Sequence, residues 1–95
     1  MTDVMTDVSK EVQIANRRGL HARASALFAK TAGKFSAKVQ VCKGDTCVVG
    51  TSIMGLMMLG AAKGEAVTIS ASGADAEKAL EALTSLIVDL FGEGE

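Results

Sequence analysis

Residues 38–49 read KVQVCKGDTCVV, two short alternating segments joined by Gly44 and Asp45. Val39 and Val41 fall on one side of the first segment and Lys38 and Gln40 on the other, the period-two pattern of a strand with one buried face. A glycine-aspartate pair between two such runs predicts a hairpin that pairs Lys38 to Lys43 with Thr46 to Val49. The same alternation recurs on both sides of the hairpin. Lys10 to Ile14 places Val12 and Ile14 opposite Glu11 and Gln13, and Ala66 to Ala71 places Val67, Ile69 and Ala71 opposite Thr68 and Ser70. Between these strands the period lengthens. Leu20, Ala24, Leu27, Phe28 and Thr31 recur at helical spacing over Ala22 to about Ala32, with Gly33 as the stop. Ile53 to Leu59 forms a short apolar helix between Ser52 and Gly60, and Ala79, Leu80, Leu83, Leu86, Ile87 and Leu90 form the stripe of a last helix from about Asp75 to Leu90. The order is βαββαβα. Apolar inner and polar outer strand positions imply an α+β open-faced sandwich, a four-stranded antiparallel sheet with its helices on one face.

Ninety-five residues supply one small domain and too little interior for a deep cofactor cavity. We expect a flexible leader over residues 1–8, which hold a tandem MTDV repeat, a domain over 9–91 and a frayed tail over 92–95. The N-terminus lacks the basic head and apolar stretch of a signal peptide, and no apolar run approaches the ~20 residues of a membrane span. The expected setting is therefore cytoplasmic, with no membrane partner. In that compartment Cys42 and Cys47 are expected as reduced thiols, although the hairpin would set them opposite each other. A metal site would need two more ligands than they offer, so no metal and no cofactor are expected.

The net charge of −1 conceals two unlike halves. Residues 12–44 carry Arg17, Arg18, Arg23, Lys30, Lys34, Lys38 and Lys43 with no acid, whereas residues 64–95 carry seven acids against Lys78. A basic half steers toward phosphate or an acidic partner. Nucleic acid is disfavoured, because Phe28, Phe35 and Phe91 are the whole aromatic supply for stacking.

The chain's one histidine, His21, lies in RRGLHARAS at a strand-to-helix junction. There the first N–H groups of a helix have no intrahelical partner and the dipole is positive, so a phosphate on His21 would meet the N–H groups of Ala22 and Arg23 and the Arg23 guanidinium. Imidazole is largely neutral and nucleophilic near pH 7. The competing reading is a surface histidine with incidental arginines. Ile53, Met54, Met57 and Met58 crowd a helix of barely two turns, so some of them must be exposed; about half are expected to fill the core. Ser52 reads first as an N-cap, worth about 1 kcal/mol.

RGLHARAS resembles the active-site signature of the histidine-containing phosphocarrier family, HPr, of the bacterial phosphotransferase system. The block GTSIMGLMMLGAAKGEAVTISASGADAEKAL is similar to that family's regulatory serine, short helix, fourth strand and start of the last helix. The resemblance runs from about residue 9 to 91. It implies that His21 takes a phosphoryl group on Nδ1 from the phosphohistidine of enzyme I and delivers it to an enzyme IIA protein, with Arg23 stabilising the moving group. The family's usual proline after that arginine is here Ala24, which leaves one more N–H in the first turn. The resemblance further implies regulatory phosphorylation of Ser52 by an HPr kinase/phosphorylase. It also implies partner docking through Ile53, Met54 and Met57, and a monomeric carrier rather than a free-standing enzyme. Sugar uptake and a nitrogen-related regulatory branch both remain open. The alternative class is a small α+β nucleic-acid or ligand-binding module, which leaves the pairing of His21 with Arg23 unexplained.

Overall fold

A computed structural model describes residues 7–92. The strands are β1 (Asp7–Gln13), β2 (Lys38–Lys43), β3 (Thr46–Val49) and β4 (Ala66–Ser72), and the helices are α1 (Ala22–Ala32), α2 (Ile53–Leu59) and α3 (Ala76–Val88). All pairings are antiparallel and the sheet order is β1-β4-β2-β3. The open-faced sandwich expected from the alternation is the fold found. Val12, Val39, Val41, Val67, Ile69 and Ala71 turn to the helices and are buried with Phe28, Leu56, Leu83 and Ile87, whereas Gln13, Lys38 and Gln40 face solvent.

Several boundaries move, each for a packing reason. β1 starts at Asp7, because Asp7 and Val8 pair with Ser72 and Ala71 and Val8 packs on the core. The last two residues of the expected leader therefore belong to the sheet, and residues 1–6 lie outside the described residues. The buried side of α1 is Ala24, Ser25, Phe28, Ala29 and Ala32, with Leu27 and Thr31 at its margin. Small residues let this helix lie close to its neighbours. Helix α3 ends at Val88, after which Leu90 and Phe91 take left-handed φ angles of 57° and 53° and Phe91 turns back into the core. Of the expected tail, residues 93–95 lie outside the described residues. Asp75 caps α3 by position but bonds elsewhere. Its Oδ2 accepts the Ser36 N–H at 2.8 Å while its own N–H donates to the Ser36 carbonyl at 3.0 Å, tying the α1–β2 connection to the start of α3.

Two expectations are corrected. Cys42 and Cys47 are joined by a disulfide, their Cα atoms 4.0 Å apart. The β2–β3 register pairs them directly across the hairpin, and that proximity overrides the expectation of free thiols drawn from compartment. Second, none of Ile53, Met54, Met57 and Met58 fills the core. Only Leu56 and Leu59 of α2 are buried, since a seven-residue helix lying on the sheet edge has just one inward-facing ridge.

This division gives a contrast within one helix. Leu56 is 0% exposed and Met58 80% exposed. Leu56→Ala should lower unfolding free energy by about 2–5 kcal/mol, whereas Met58→Ala should stay within about 0.5 kcal/mol of the parent, as read by urea titration.

Candidate functional site

The chain leaving β1 is gripped at both ends by the turn before β4. The Ile14 N–H donates to the Glu65 carbonyl and the Gly64 N–H to the Ile14 carbonyl, both at 2.8 Å. Further on, the Leu20 N–H donates to the Ala61 carbonyl at 2.9 Å. Between these clamps the loop closes on itself. The fully buried Asn16 donates from Nδ2 to the Gly19 carbonyl at 2.8 Å, and its own carbonyl accepts the Gly19 N–H at 3.2 Å. Gly19 has φ +62°, and a Cβ there would run into the Ala61 carbonyl. Only glycine meets both demands. The buried Ser25 hydroxyl donates to the Leu20 carbonyl at 3.2 Å and fastens the loop to α1.

This clamped loop delivers His21 to the N-cap position of α1 in extended conformation, half-buried, with no side-chain capping bond. The first N–H to close a helical bond is that of Ser25, onto the His21 carbonyl at 2.8 Å. The N–H groups of Ala22, Arg23 and Ala24 precede it and so have no acceptor within the helix. The first turn contains no acidic residue, and Arg23 is exposed. Here the structure brings together His21, Ala22 and Arg23, with the Ala24 N–H as a third donor. The arrangement is a positively polarised mouth beside an accessible imidazole, suited to a phosphate-sized anion.

Ser52 lies elsewhere. It is the N-cap of α2, its Oγ accepting the Gly55 N–H at 2.9 Å, as the capping reading expects. That end is about 10 Å, one length of α2, from Gly60 and the segment that holds the His21 loop. Helix α2 packs beside α1 and turns Ile53, Met54 and Met57 to solvent together with Met58. Val49, at the end of β3, adds to the exposed apolar surface at 61% exposure.

A protein-family model described as the PTS HPr component phosphorylation site matches residues 8–89. The chain belongs to the HPr family. It is 51% identical over 88 residues to phosphocarrier protein HPr of Neisseria meningitidis serogroup B, an alignment covering 93% of this chain and 99% of the relative. Among solved structures, HPr-C-His from Thermoanaerobacter tengcongensis superposes with a TM-score of 0.87 at 46% identity, covering 90% of this chain and 97% of that one. An HPr dimer from the same organism gives 0.74 at 46% identity, covering 98% and 100%. Membership makes this chain a phosphocarrier of the phosphotransferase system with that family's open-faced sandwich.

Sequence reading missed Asn16, Ser25, Lys43 and Glu65 as supports of this site. The Asn16 and Ser25 contacts span three and five residues and are local, whereas Lys43 reaches Leu59, Gly60 and Glu65 far along the chain. Lys43 Nζ stands 3.0 Å from Glu65 Oε1, which also accepts the Ala62 N–H at 2.8 Å. The Ala62 N–H and then the Lys43 ammonium hold the Glu65 carboxyl below its ordinary value of 4.5, against partial desolvation. A depressed folded value means that this carboxylate stabilises the fold fully above pH 4.5 and loses that effect as pH falls through the folded value. The stability difference between wild type and Glu65→Gln should accordingly be small for so exposed a group, constant near neutrality, and shrink toward zero as acid titrates the parent, measured by urea unfolding across pH.

Proposed function

We propose that His21 is the phosphoryl acceptor of this carrier, and the observation that carries the reading is its place at the N-cap of α1 before three N–H groups with no helical acceptor. The imidazole Nδ1 attacks the phosphorus held on the phosphohistidine of enzyme I; a new N–P bond forms as the donor's N–P bond breaks, and the reverse geometry passes the group to an enzyme IIA protein. The Ala22 and Arg23 N–H groups, with that of Ala24, face the phosphoryl oxygens, and the Arg23 guanidinium supplies a planar pair of donors. The protein is a carrier rather than an enzyme, since its histidine is consumed and regenerated by partners in each cycle.

Docking to both partners falls on the exposed Ile53, Met54 and Met57, whose adaptable side chains suit a surface that must fit more than one protein. Ser52, at the N-terminus of that helix, is the proposed site of an HPr kinase/phosphorylase. A phosphoserine there is tolerated by the helix but sets negative charge at the rim of the apolar surface. The cascade is placed in the cytoplasm. The carrier is read as a monomer, and the T. tengcongensis dimer makes oligomeric state the first control.

Incubation with phosphoenolpyruvate and enzyme I tests these roles together. Wild type should take up one acid-labile, base-stable phosphate and His21→Ala none, while Arg23→Lys should accept it more slowly, because a point charge replaces a planar fork. Ser52→Asp should raise the apparent KM for the carrier at a nearly unchanged thermal midpoint. Normal labelling of His21→Ala would remove the mechanism.

A further inference from the structure

Lys43, at the end of β2, makes contacts that reach well beyond its own strand. Its ammonium lies 3.4 Å from the Leu59 carbonyl and 3.5 Å from the Gly60 carbonyl, which close α2, and 3.0 Å from Glu65 Oε1. With three donors and no acceptor, Lys43 can join all three oxygens at once. Glu65 is equally well connected. The same Oε1 accepts the Ala62 N–H, the Glu65 N–H returns to the Ala62 carbonyl at 2.9 Å, and the Glu65 carbonyl takes the Ile14 N–H. Ala62 follows Ala61, whose carbonyl holds Leu20, the residue before His21.

We propose that Lys43 and Glu65 form a positioning bridge that fixes the His21 loop relative to the docking helix α2, so that a bound partner meets the imidazole in a reactive orientation. The proposal rests on the reading of His21 as the phosphoryl acceptor. It concerns geometry rather than global stability. The two side chains are 33% and 44% exposed, and ion pairs this open contribute little to folding. Transfer between two protein-held histidines, by contrast, depends on holding both reacting atoms in register, where a displacement of about 1 Å costs up to about 100-fold in rate. A bridge that ties the end of the docking helix to the turn gripping Ile14 and Leu20 acts directly on that register. Its side-chain contacts run to Leu59, Gly60 and Ala62, and so it acts through the loop.

Glu65→Gln keeps an oxygen for the Ala62 N–H but removes the negative charge that draws Lys43, and Lys43→Met removes the donors while keeping most of the stem. With phosphoenolpyruvate and enzyme I, each single variant should lower kcat for phosphoryl acceptance about three- to fivefold, with KM for the carrier within about twofold of wild type. The double variant should be no slower than either single one, because the pair works as a unit. Amide hydrogen exchange at Leu20 should accelerate in all three while the thermal midpoint barely moves. Wild-type kcat with unchanged Leu20 exchange would overturn the proposal, as would additive losses in the double variant or a rise in KM at constant kcat. The wild-type reaction is the separate check on the underlying reading. If wild type itself acquires no phosphate on His21, that reading fails and the bridge loses its role in transfer, whereas a labelled wild type with indifferent variants removes the bridge alone.

Discussion

Gly19 passes so close to Ala61 and Ala62 that no side chain fits between them, and this approach brings the Leu20 N–H to the Ala61 carbonyl at 2.9 Å. The rest of the site depends on that contact. It fixes where the chain must turn, so His21 arrives at the N-cap of α1 and not inside its first turn. One residue later, the imidazole would project from the helix flank, away from the N–H groups of Ala22, Arg23 and Ala24. Asn16 and Ser25, both fully buried, close the same loop from its two sides. Each of these side chains spends a donor on a loop carbonyl, Asn16 Nδ2 on Gly19 and Ser25 Oγ on Leu20, and those two bonds define the shape of the loop.

The helix termini treat charge differently. Helix α3 carries Glu77 in its first turn, whereas neither α1 nor α2 has an acid there. The positive end of α1 thus has no acid of its own first turn beside it, with Arg17, Arg18 and Arg23 in the neighbouring sequence and seven of the eleven acids in residues 64–95. Beside it, α2 buries Leu56 and Leu59 and presents Met54 and Met58 almost fully to water. An anion mouth next to an adaptable apolar surface is what a carrier needs when it must be read by two unlike partners yet hold its cargo by one fixed set of donors.

Much of this was legible in the chain itself. The alternation at Val39–Val41 and Val67–Ala71 gave the strands and their inner faces, Ser52 and Gly60 marked the ends of α2, and His21 was identifiable as the head of α1. Local periodicity carries such information because each segment has one face to bury. What it does not carry is contact between distant segments. The pairing of Asp7 and Val8 with the end of β4, the return of Phe91 into the core and the Lys43–Glu65 bridge are all set by tertiary neighbours, whereas the facing of Cys42 and Cys47 follows from the hairpin and only their oxidation state was not legible. About half of Ile53, Met54, Met57 and Met58 are expected in the core and all four are exposed, since hydrophobicity does not reveal how narrow a ridge α2 offers to the sheet.

The central claim is that the first turn of α1 holds the phosphoryl group carried on His21, and the most direct measurement is the backbone amide spectrum of nitrogen-15-labelled protein before and after phosphorylation by enzyme I. The Ala22, Arg23 and Ala24 amides should move together to lower field as they take up phosphoryl oxygens, while those of α3 stay in place. A fully phosphorylated protein in which these three amides do not shift would contradict it.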